Sequence, residues 1–294
     1  MTGVQTCALP ISAGVPGSVA GFGYAYEKYG SANWRDLVKP AAELSTVGFP
    51  LDYQNMTSLN HPYYQEYLLK DEESAKIFSK DGHFTLYETF VQDDLGLTLE
   101  RIANGGWKEF YTGKTADMIV DCMQRTDGLI TKKDLQNYRA IEREPIVFKY
   151  RGYEVHSMPP ASSGGVTIAG ILNQLENVVF DSLEYHSVQH IHYVAEAERR
   201  VYADRAEFMG DMDFVPVPIE RLISDAYANI RWESVDSITA SKSEYIFPGN
   251  IPFSYQESDE TTHYSVVDKW GNAVSVTTTI NGWFGNGIDR KSVV

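Results

Sequence analysis

The chain has 294 residues, of which 43% are hydrophobic, and 40 acidic side chains against 25 basic ones give a formal net charge of −15. That composition builds a folded core rather than a disordered chain, and its acidic balance argues against nucleic acid as a partner, which calls for a basic patch. No stretch reaches the roughly 20 apolar residues of a membrane span, and the two cysteines, Cys7 and Cys122, support neither a disulfide framework nor a cysteine-based metal site.

The two ends share one signal. Ala8-Leu9-Pro10-Ile11 and Asp289-Arg290-Lys291-Ser292 can be encoded by a short DNA string and its reverse complement, and that string resembles a sequencing-library adapter. Residues 1–12 and 289–294 are therefore expected to be adapter-derived and non-native. Residues 13–288 carry the fold and function.

In chain order, Val15-Pro16-Gly17 precedes a predicted helix from Ser18 to Tyr29, closed by Gly30. A second helix is expected from Asn33 to Thr46, interrupted near Pro40 and closed by Gly48. Residues 52–83 are polar and aromatic and predict only short helices and loops. Thr85 to Asn104 reads as a helix stopped by Gly105-Gly106, and another helix runs from Phe110 to about Arg125. Asp127-Gly128 marks a turn, and Thr131 with Asp134 three residues on marks a capped helix start. Ile146–Tyr150 and Tyr153–Ser157 read as strands joined by Arg151-Gly152. Pro159-Pro160-Ala161-Ser162-Ser163-Gly164-Gly165 then leads into an apolar helix from Val166 to Leu175. His186 to Met209 predicts a long helix with Ile191, Val194, Val201 and Phe208 facing inward. Helices followed by interleaved strands give an α+β layered class.

The last readable element is a hairpin, Thr262–Val267 with Ala273–Thr279. With residues 268–272 as its loop, Val267 pairs with Ala273. Pairing continues through Ser265–Ser275 and His263–Thr277 to Thr261–Thr279. Thr261, His263 and Ser265 then share one face, and Asn281 has the parity of Thr279. A one-residue slip would reverse the arrangement.

Several segments are similar to signatures of one family, in that family's order: Val15-Pro16-Gly17, Lys39-Pro40-Ala41, Phe110-Tyr111-Thr112-Gly113, Asp134-Leu135-Gln136-Asn137-Tyr138, Tyr150-Arg151-Gly152-Tyr153, the Pro159–Gly165 run and Tyr202-Ala203-Asp204-Arg205-Ala206. With Thr261-Thr262-His263-Tyr264-Ser265 they resemble the γ-glutamyltransferases, also called γ-glutamyltranspeptidases or glutathione hydrolases. The resemblance implies a four-layer αββα N-terminal nucleophile (Ntn) hydrolase fold, incomplete here. It implies self-cleavage between Glu260 and Thr261, so that 13–260 is a large-subunit portion and 261–288 the start of a small subunit. Thr261 is then the nucleophile and its freed α-amine the base, since a threonine hydroxyl needs a base beside it. By the same resemblance Thr279 orients Thr261 and Asn281 binds the glutamyl group. The implied donors are glutathione and other γ-glutamyl compounds, and the acceptors are water, amino acids or dipeptides. The small subunit is the implied protein partner, no cofactor is called for, and the implied location is the periplasm or cell exterior. The family's α-carboxylate-binding arginine falls before the readable region, and its oxyanion glycines, Ser-Ser pair and second acidic residue fall after it. The chain alone is therefore expected to be inactive and poorly cleaved. Two other readings stand beside this one: an Ntn acylase acting on other amides, and a non-catalytic relative that keeps the fold and only binds.

Competing sites carry less. Ser162-Ser163-Gly164-Gly165 lacks the first glycine of a serine nucleophile elbow and is expected to be a strand-to-helix turn, with serine as cap and glycine for close packing. His186, His190 and His192 lack a carboxylate-bearing zinc pattern. Glu196, Arg199, Arg200, Asp204 and Arg205 read as a salt-bridged helix face, Asp211 and Asp213 as loop residues, and Cys122 as a packed side chain.

Overall fold

The structure, a computed structural model, describes residues 14–80, 83–251, 262–280 and 284–285. The chain forms two compact units, Met1–Ile141 with Asp259–Val294, and Glu142–Ser258. The expected boundaries at 12/13, 260/261 and 288/289 lie outside the described residues.

In the first unit, α1 (Ser18–Tyr29) has the expected limits, with Gly30 N–H closing on the Tyr26 carbonyl at 2.8 Å. α2 (Trp34–Val47) is capped by Asn33, which accepts the Arg35 N–H. It runs through Pro40 without the expected interruption. A mid-helix proline loses one backbone hydrogen bond, and packing along α6 offsets that loss, with Trp34 Nε1 donating to the Ile102 carbonyl at 2.9 Å. β1 (Phe49–Pro50), α3 (Tyr53–Leu59), α4 (Pro62–Leu68) and α5 (Glu72–Phe78) follow, and β2 (Thr89–Phe90) pairs antiparallel with β1.

The helix expected from Thr85 begins only at α6 (Asp93–Gly105). Tyr87 takes a left-handed φ of 64° and the next residues join the β1–β2 ladder, so neither can be helical. α7 (Glu109–Thr112) and α8 (Lys114–Arg125) split at Gly113 what the sequence reads as one helix. α9 (Lys132–Asn137) starts in the expected box, in which Asp134 accepts the Thr131 N–H at 2.8 Å and Thr131 Oγ1 accepts the Asp134 N–H at 3.3 Å.

Tyr111 ties three of the sequence signatures together. Its ring lies in the core of Ala20, Ile102, Phe110, Ala116, Ile119 and Leu135. Its hydroxyl donates to the Pro16 carbonyl at 2.7 Å and accepts the Ala20 N–H at 3.0 Å. It stacks on Tyr138 with centroids 5.6 Å apart. Burial pushes the Tyr111 phenol up to about 12. Val15-Pro16-Gly17, Phe110–Gly113 and Asp134–Tyr138 thus meet at one side chain. The second core of this unit gathers Leu51, Leu59, Phe84 and Phe90, with Phe284 packed against it.

The second unit opens with β3 (Ile146–Tyr150) and β4 (Tyr153–Ser157), paired Ile146↔Ser157 to Tyr150↔Tyr153 as expected. Arg151 (φ 48°) and Gly152 (φ 86°) take the paired left-handed conformation of a tight hairpin turn. α10 (Gly164–Leu175) follows. A Cβ on Gly165 would stand 2.3 Å from the Met158 carbonyl oxygen, which accounts for that glycine by close packing. The expected serine cap is corrected: Ser163 makes no capping bond, and its Oγ instead accepts from Arg205 Nε at 2.8 Å.

α11 (Val188–Phe208) is capped by Ser187 and is followed by α12 (Ile219–Leu222) and α13 (Asp225–Trp232). Of its expected inward residues, Val201 and Phe208 are buried, Val194 is half-buried and packs on the Leu175, Val178 and Ala197 cluster, and Ile191 is 57% exposed. The inward face instead includes Glu196, Arg200 and Asp204, at 0%, 0% and 4% exposure. Cys122 is buried, and Asp211 and Asp213 lie outside regular elements, paired with Arg143 at 3.8 and 2.8 Å.

Two outcomes follow. Tyr111→Phe removes both hydroxyl bonds and is expected to lower stability by about 1–3 kcal/mol in urea unfolding, with the Ala20 amide exchanging faster. Burial by itself would raise the Glu196 carboxyl, but hydrogen bonds from Ser241 and the Arg200 ion pair outweigh it and hold the group at about 2, below its ordinary 4.5. Its stabilising contribution, roughly 3 kcal/mol, is complete above pH 4.5 and lost as pH falls towards 2. Urea unfolding across that window is expected to find wild type and Glu196→Gln converging in stability as pH drops.

Candidate nucleophile hairpin

β5 (Thr262–Val267) and β6 (Ala273–Thr278) pair antiparallel in the expected register: Thr262↔Thr278, His263↔Thr277, Tyr264↔Val276, Ser265↔Ser275, Val266↔Val274 and Val267↔Ala273. The turn is organised by Asp268. Its Oδ1 accepts the Trp270 and Asn272 N–H groups, both at 2.9 Å, and its Oδ2 accepts Asn272 Nδ2 at 2.9 Å. The Asp268 N–H donates to the Asn272 carbonyl at 3.0 Å. The Asn272 side chain, followed by the backbone amides, holds the Asp268 carboxyl below its ordinary range.

One face of the hairpin carries a polar ladder. His263 Nδ1 lies 2.8 Å from Thr277 Oγ1, and His263 Nε2 lies 3.2 Å from Ser265 Oγ and 3.1 Å from Ser275 Oγ. The two serine hydroxyls are 3.3 Å apart. A neutral imidazole offers one donor and one acceptor, and each hydroxyl takes either role, so the ladder closes for either tautomer. His263 is exposed, and its role here is to hydrogen-bond the three hydroxyls of the ladder. The opposite face bears Thr262, Tyr264 and Val266 beside Thr278, Val276 and Val274. On that side Thr278 Oγ1 meets Ser18 Oγ at 3.2 Å, so the start of α1 backs the end of β6.

Of the predicted site residues, Thr279 is described, immediately beyond β6, and makes at least one side-chain or backbone interaction. Glu260, Thr261 and Asn281 lie outside the described residues. Strand parity alone finds Ser275 and Thr277 as members of the ladder. No sequence signal pointed to Ser18, whose contact depends on the tertiary arrangement of the unit.

The histidines weighed as metal ligands are engaged locally: His190 Nδ1 accepts the His186 N–H at 3.0 Å, and His192 Nε2 lies 2.8 Å from the Asp236 carbonyl. Among the described residues no group of three potential metal ligands forms, and no helix is long and apolar enough to cross a membrane.

A family model described as gamma-glutamyltranspeptidase matches residues 5–293. The chain belongs to this family. The glutathione hydrolase proenzyme of Escherichia coli (strain K12) is 46% identical over 280 residues, covering 95% of this chain and 48% of that protein. The acylase ACY 1 proenzyme of Pseudomonas sp. (strain V22) is 36% identical over 277 residues, covering 92% of this chain and 47% of that protein. The crystal structure of Helicobacter pylori gamma-glutamyltranspeptidase superposes with a TM-score of 0.77 at 39% identity, covering 84% of this chain and 71% of that one. The chain thus spans about half the length of the curated relatives it matches. Its fold is the α+β, four-layer αββα fold of the Ntn hydrolases in incomplete form, and the described strands make three separate two-stranded sheets.

Because the Asp268 carboxylate accepts the turn amides, the turn is expected to stay ordered as pH falls to the ordinary value of 3.8 and to loosen only below it. A pH titration of the Trp270 and Asn272 amide resonances checks this. Asp268→Ala is expected to lose the sharp amide shifts of both residues at neutral pH.

Proposed function

We propose that the whole protein is an autoprocessing γ-glutamyl transferase and hydrolase with Thr261 as nucleophile. The observation that supports the proposal is the hairpin register, Thr262↔Thr278 to Val267↔Ala273, which is the pairing that the sequence reading used to match Thr261 with Thr279. Family membership supplies the chemistry that this pairing suits.

In the precursor, Thr261 Oγ attacks the Glu260 carbonyl carbon. The Glu260–Thr261 C–N bond breaks, the hydroxyl proton passes to the departing nitrogen, and an ester links Glu260 to Thr261 Oγ. Water hydrolyses that ester, releasing the Glu260 carboxylate and restoring the Thr261 hydroxyl beside the α-amine that the shift has freed. An α-amine titrates at about 7.7–8.0, so near neutrality a useful fraction is unprotonated and serves as general base. In turnover the amine takes the hydroxyl proton while Oγ attacks the γ-carbonyl of glutathione or a related donor. The amide nitrogen leaves with that proton, and the γ-glutamyl ester passes to water, an amino acid or a dipeptide. Thr279 orients the Thr261 hydroxyl or amine, and Asn281 binds the polar end of the glutamyl group. These steps require no cofactor. The small subunit beginning at Thr261 stays with the large one as its partner, and the location is the periplasm or cell exterior.

A second reading, an Ntn acylase acting on other amides, is favoured by the 36% identity to the acylase ACY 1 proenzyme. Both readings use Thr261 and differ in the donor.

In the full-length protein, mass spectrometry is expected to find two fragments, one beginning at Thr261, while Thr261→Ala stays a single chain. Thr279→Ala is expected to slow γ-glutamyl-anilide turnover about 100-fold through misplacement of the nucleophile. Turnover by an uncleaved chain overturns the mechanism, and cleavage without γ-glutamyl turnover selects the acylase reading.

A further inference from the structure

Helix α1 begins with a serine that does no capping. Gly17 holds the N-cap position and makes no side-chain capping bond, and Ser18 stands one place further in, as the first helical residue. A serine usually caps from one place earlier, where its oxygen accepts a backbone N–H of the first turn. Here that place is closed to any side chain, because a Cβ on Gly17 would stand 2.2 Å from the Tyr138 hydroxyl. The Ser18 hydroxyl instead meets Thr278 Oγ1 at 3.2 Å.

Both partners have defined surroundings. The Tyr111 hydroxyl donates to the carbonyl of Pro16 and accepts the N–H of Ala20, the residues two before and two after Ser18. Tyr111 is 3% exposed, so these bonds are sheltered from water and Ser18 is presented from a fixed frame. On the other side, Thr262↔Thr278 is the last pair of the hairpin, and the ladder ends there. Val276 and Thr278 are half-buried, while the other residues of β5 and β6 are exposed. Successive strand residues point to opposite sides, so a bond that holds the Thr278 side chain from the α1 side fixes the roll of the strand about its axis at its last pair. Thr279 lies immediately beyond β6, and that roll sets the direction in which it leaves the ladder.

We propose that Ser18 is a positioning residue for the γ-glutamyl chemistry: its hydroxyl, bonded to Thr278 Oγ1 at the end of β6, sets the orientation of Thr279. This rests on the reading of Thr279 as the residue that orients the nucleophile. Ser18, Tyr111, Thr278 and Thr279 all belong to one unit. The Ser18 hydroxyl takes no part in substrate binding or proton transfer and acts through Thr278. One neutral hydrogen bond of ordinary net strength corresponds to a rate effect of roughly two- to ten-fold, smaller than the effect expected of Thr279→Ala.

The test uses the full-length protein, assayed for γ-glutamyl-anilide turnover per cleaved molecule. It compares Ser18→Thr with Ser18→Val, which share a shape and differ in the hydroxyl. Ser18→Val is expected to lower kcat about five-fold with KM within two-fold of wild type, while Ser18→Thr stays within two-fold in both. Thr278→Val is expected to lower kcat by a similar factor. The double variant of Ser18→Val and Thr278→Val is then no slower than the slower single one, because both remove the same bond. A merely structural role would make Ser18→Thr and Ser18→Val lose activity alike, or raise KM as kcat falls, and either result overturns the proposal. Losses that multiply in the double variant, or Ser18→Val turnover within two-fold of wild type, overturn it as well. Thr279→Ala separates the two readings. If Thr279→Ala turns over like wild type, the reading of Thr279 falls and takes this one with it. If Thr279→Ala is slow and Ser18→Val is not, only the role of Ser18 falls.

Discussion

Strand register is the constraint on which the proposed chemistry depends. Side chains alternate along a strand with a period of two, so a slip of one residue between β5 and β6 would turn Thr279 away from the His263 face. Nothing in the exposed hairpin core enforces the pairing by burial, since Tyr264, Val266 and Val274 remain largely exposed. Register is set locally instead. The Asp268 turn fixes where β6 begins, and the His263, Ser265, Ser275 and Thr277 side chains complement one another only in this pairing. The contact of Thr278 with Ser18 then fixes the hairpin's far end against α1.

That far end is supported through several of the sequence signatures. Pro16 and Ala20, on either side of Ser18, are both bonded to the Tyr111 hydroxyl, and Tyr111 in turn stacks on Tyr138. The order Tyr138, Tyr111, α1, Thr278 is a continuous line of contacts within one unit, from aromatic stacking to the end of β6. Segments that look like scattered motifs along the chain therefore serve one mechanical purpose, holding the start of α1 where β6 ends. Phe284 adds an anchor just past the hairpin by packing on the Phe84 and Phe90 cluster.

What could be read from the sequence was what short-range chemistry decides. The limits of α1, the β3–β4 turn at Arg151-Gly152, the Thr131 box and the β5–β6 pairing each rest on residues a few positions apart. The misreadings are tertiary. Pro40 signals a break, but packing along α6 carries α2 through it. Thr85–Gln92 has a helical apolar pattern, yet two of its residues pair with β1, about forty positions distant and invisible to a local window. The charges of α11 do pair along the helix as read, Glu196 with Arg199 and Arg200, but the partners that draw Glu196, Arg200 and Asp204 inside come from residues 231–249, with no periodicity to announce them. For the candidate hairpin, strand parity gave the His263–Thr277 and Ser265–Ser275 pairs that the structure has, while Ser18 was out of reach of any sequence rule.

The hairpin of one unit and the segment after α13 of the other are held in different ways. β5–β6 relies on alternation and a tight turn, which a ladder provides from hydroxyls, an imidazole and backbone. Residues 233–251 carry one 3-10 turn and no strand. An irregular arm still needs a defined path, and the means of giving one without a ladder is side chains that bind backbone groups from a rigid element. α11 is the longest helix described and presents its charges at one-turn intervals, matching anchor points at Arg231, Ser234, Ser241 and Gly249. Burying Glu196 and Arg200 at full depth is the cost of that arrangement, and it is tolerable because every bond they would make to water is replaced by one to this arm or to each other.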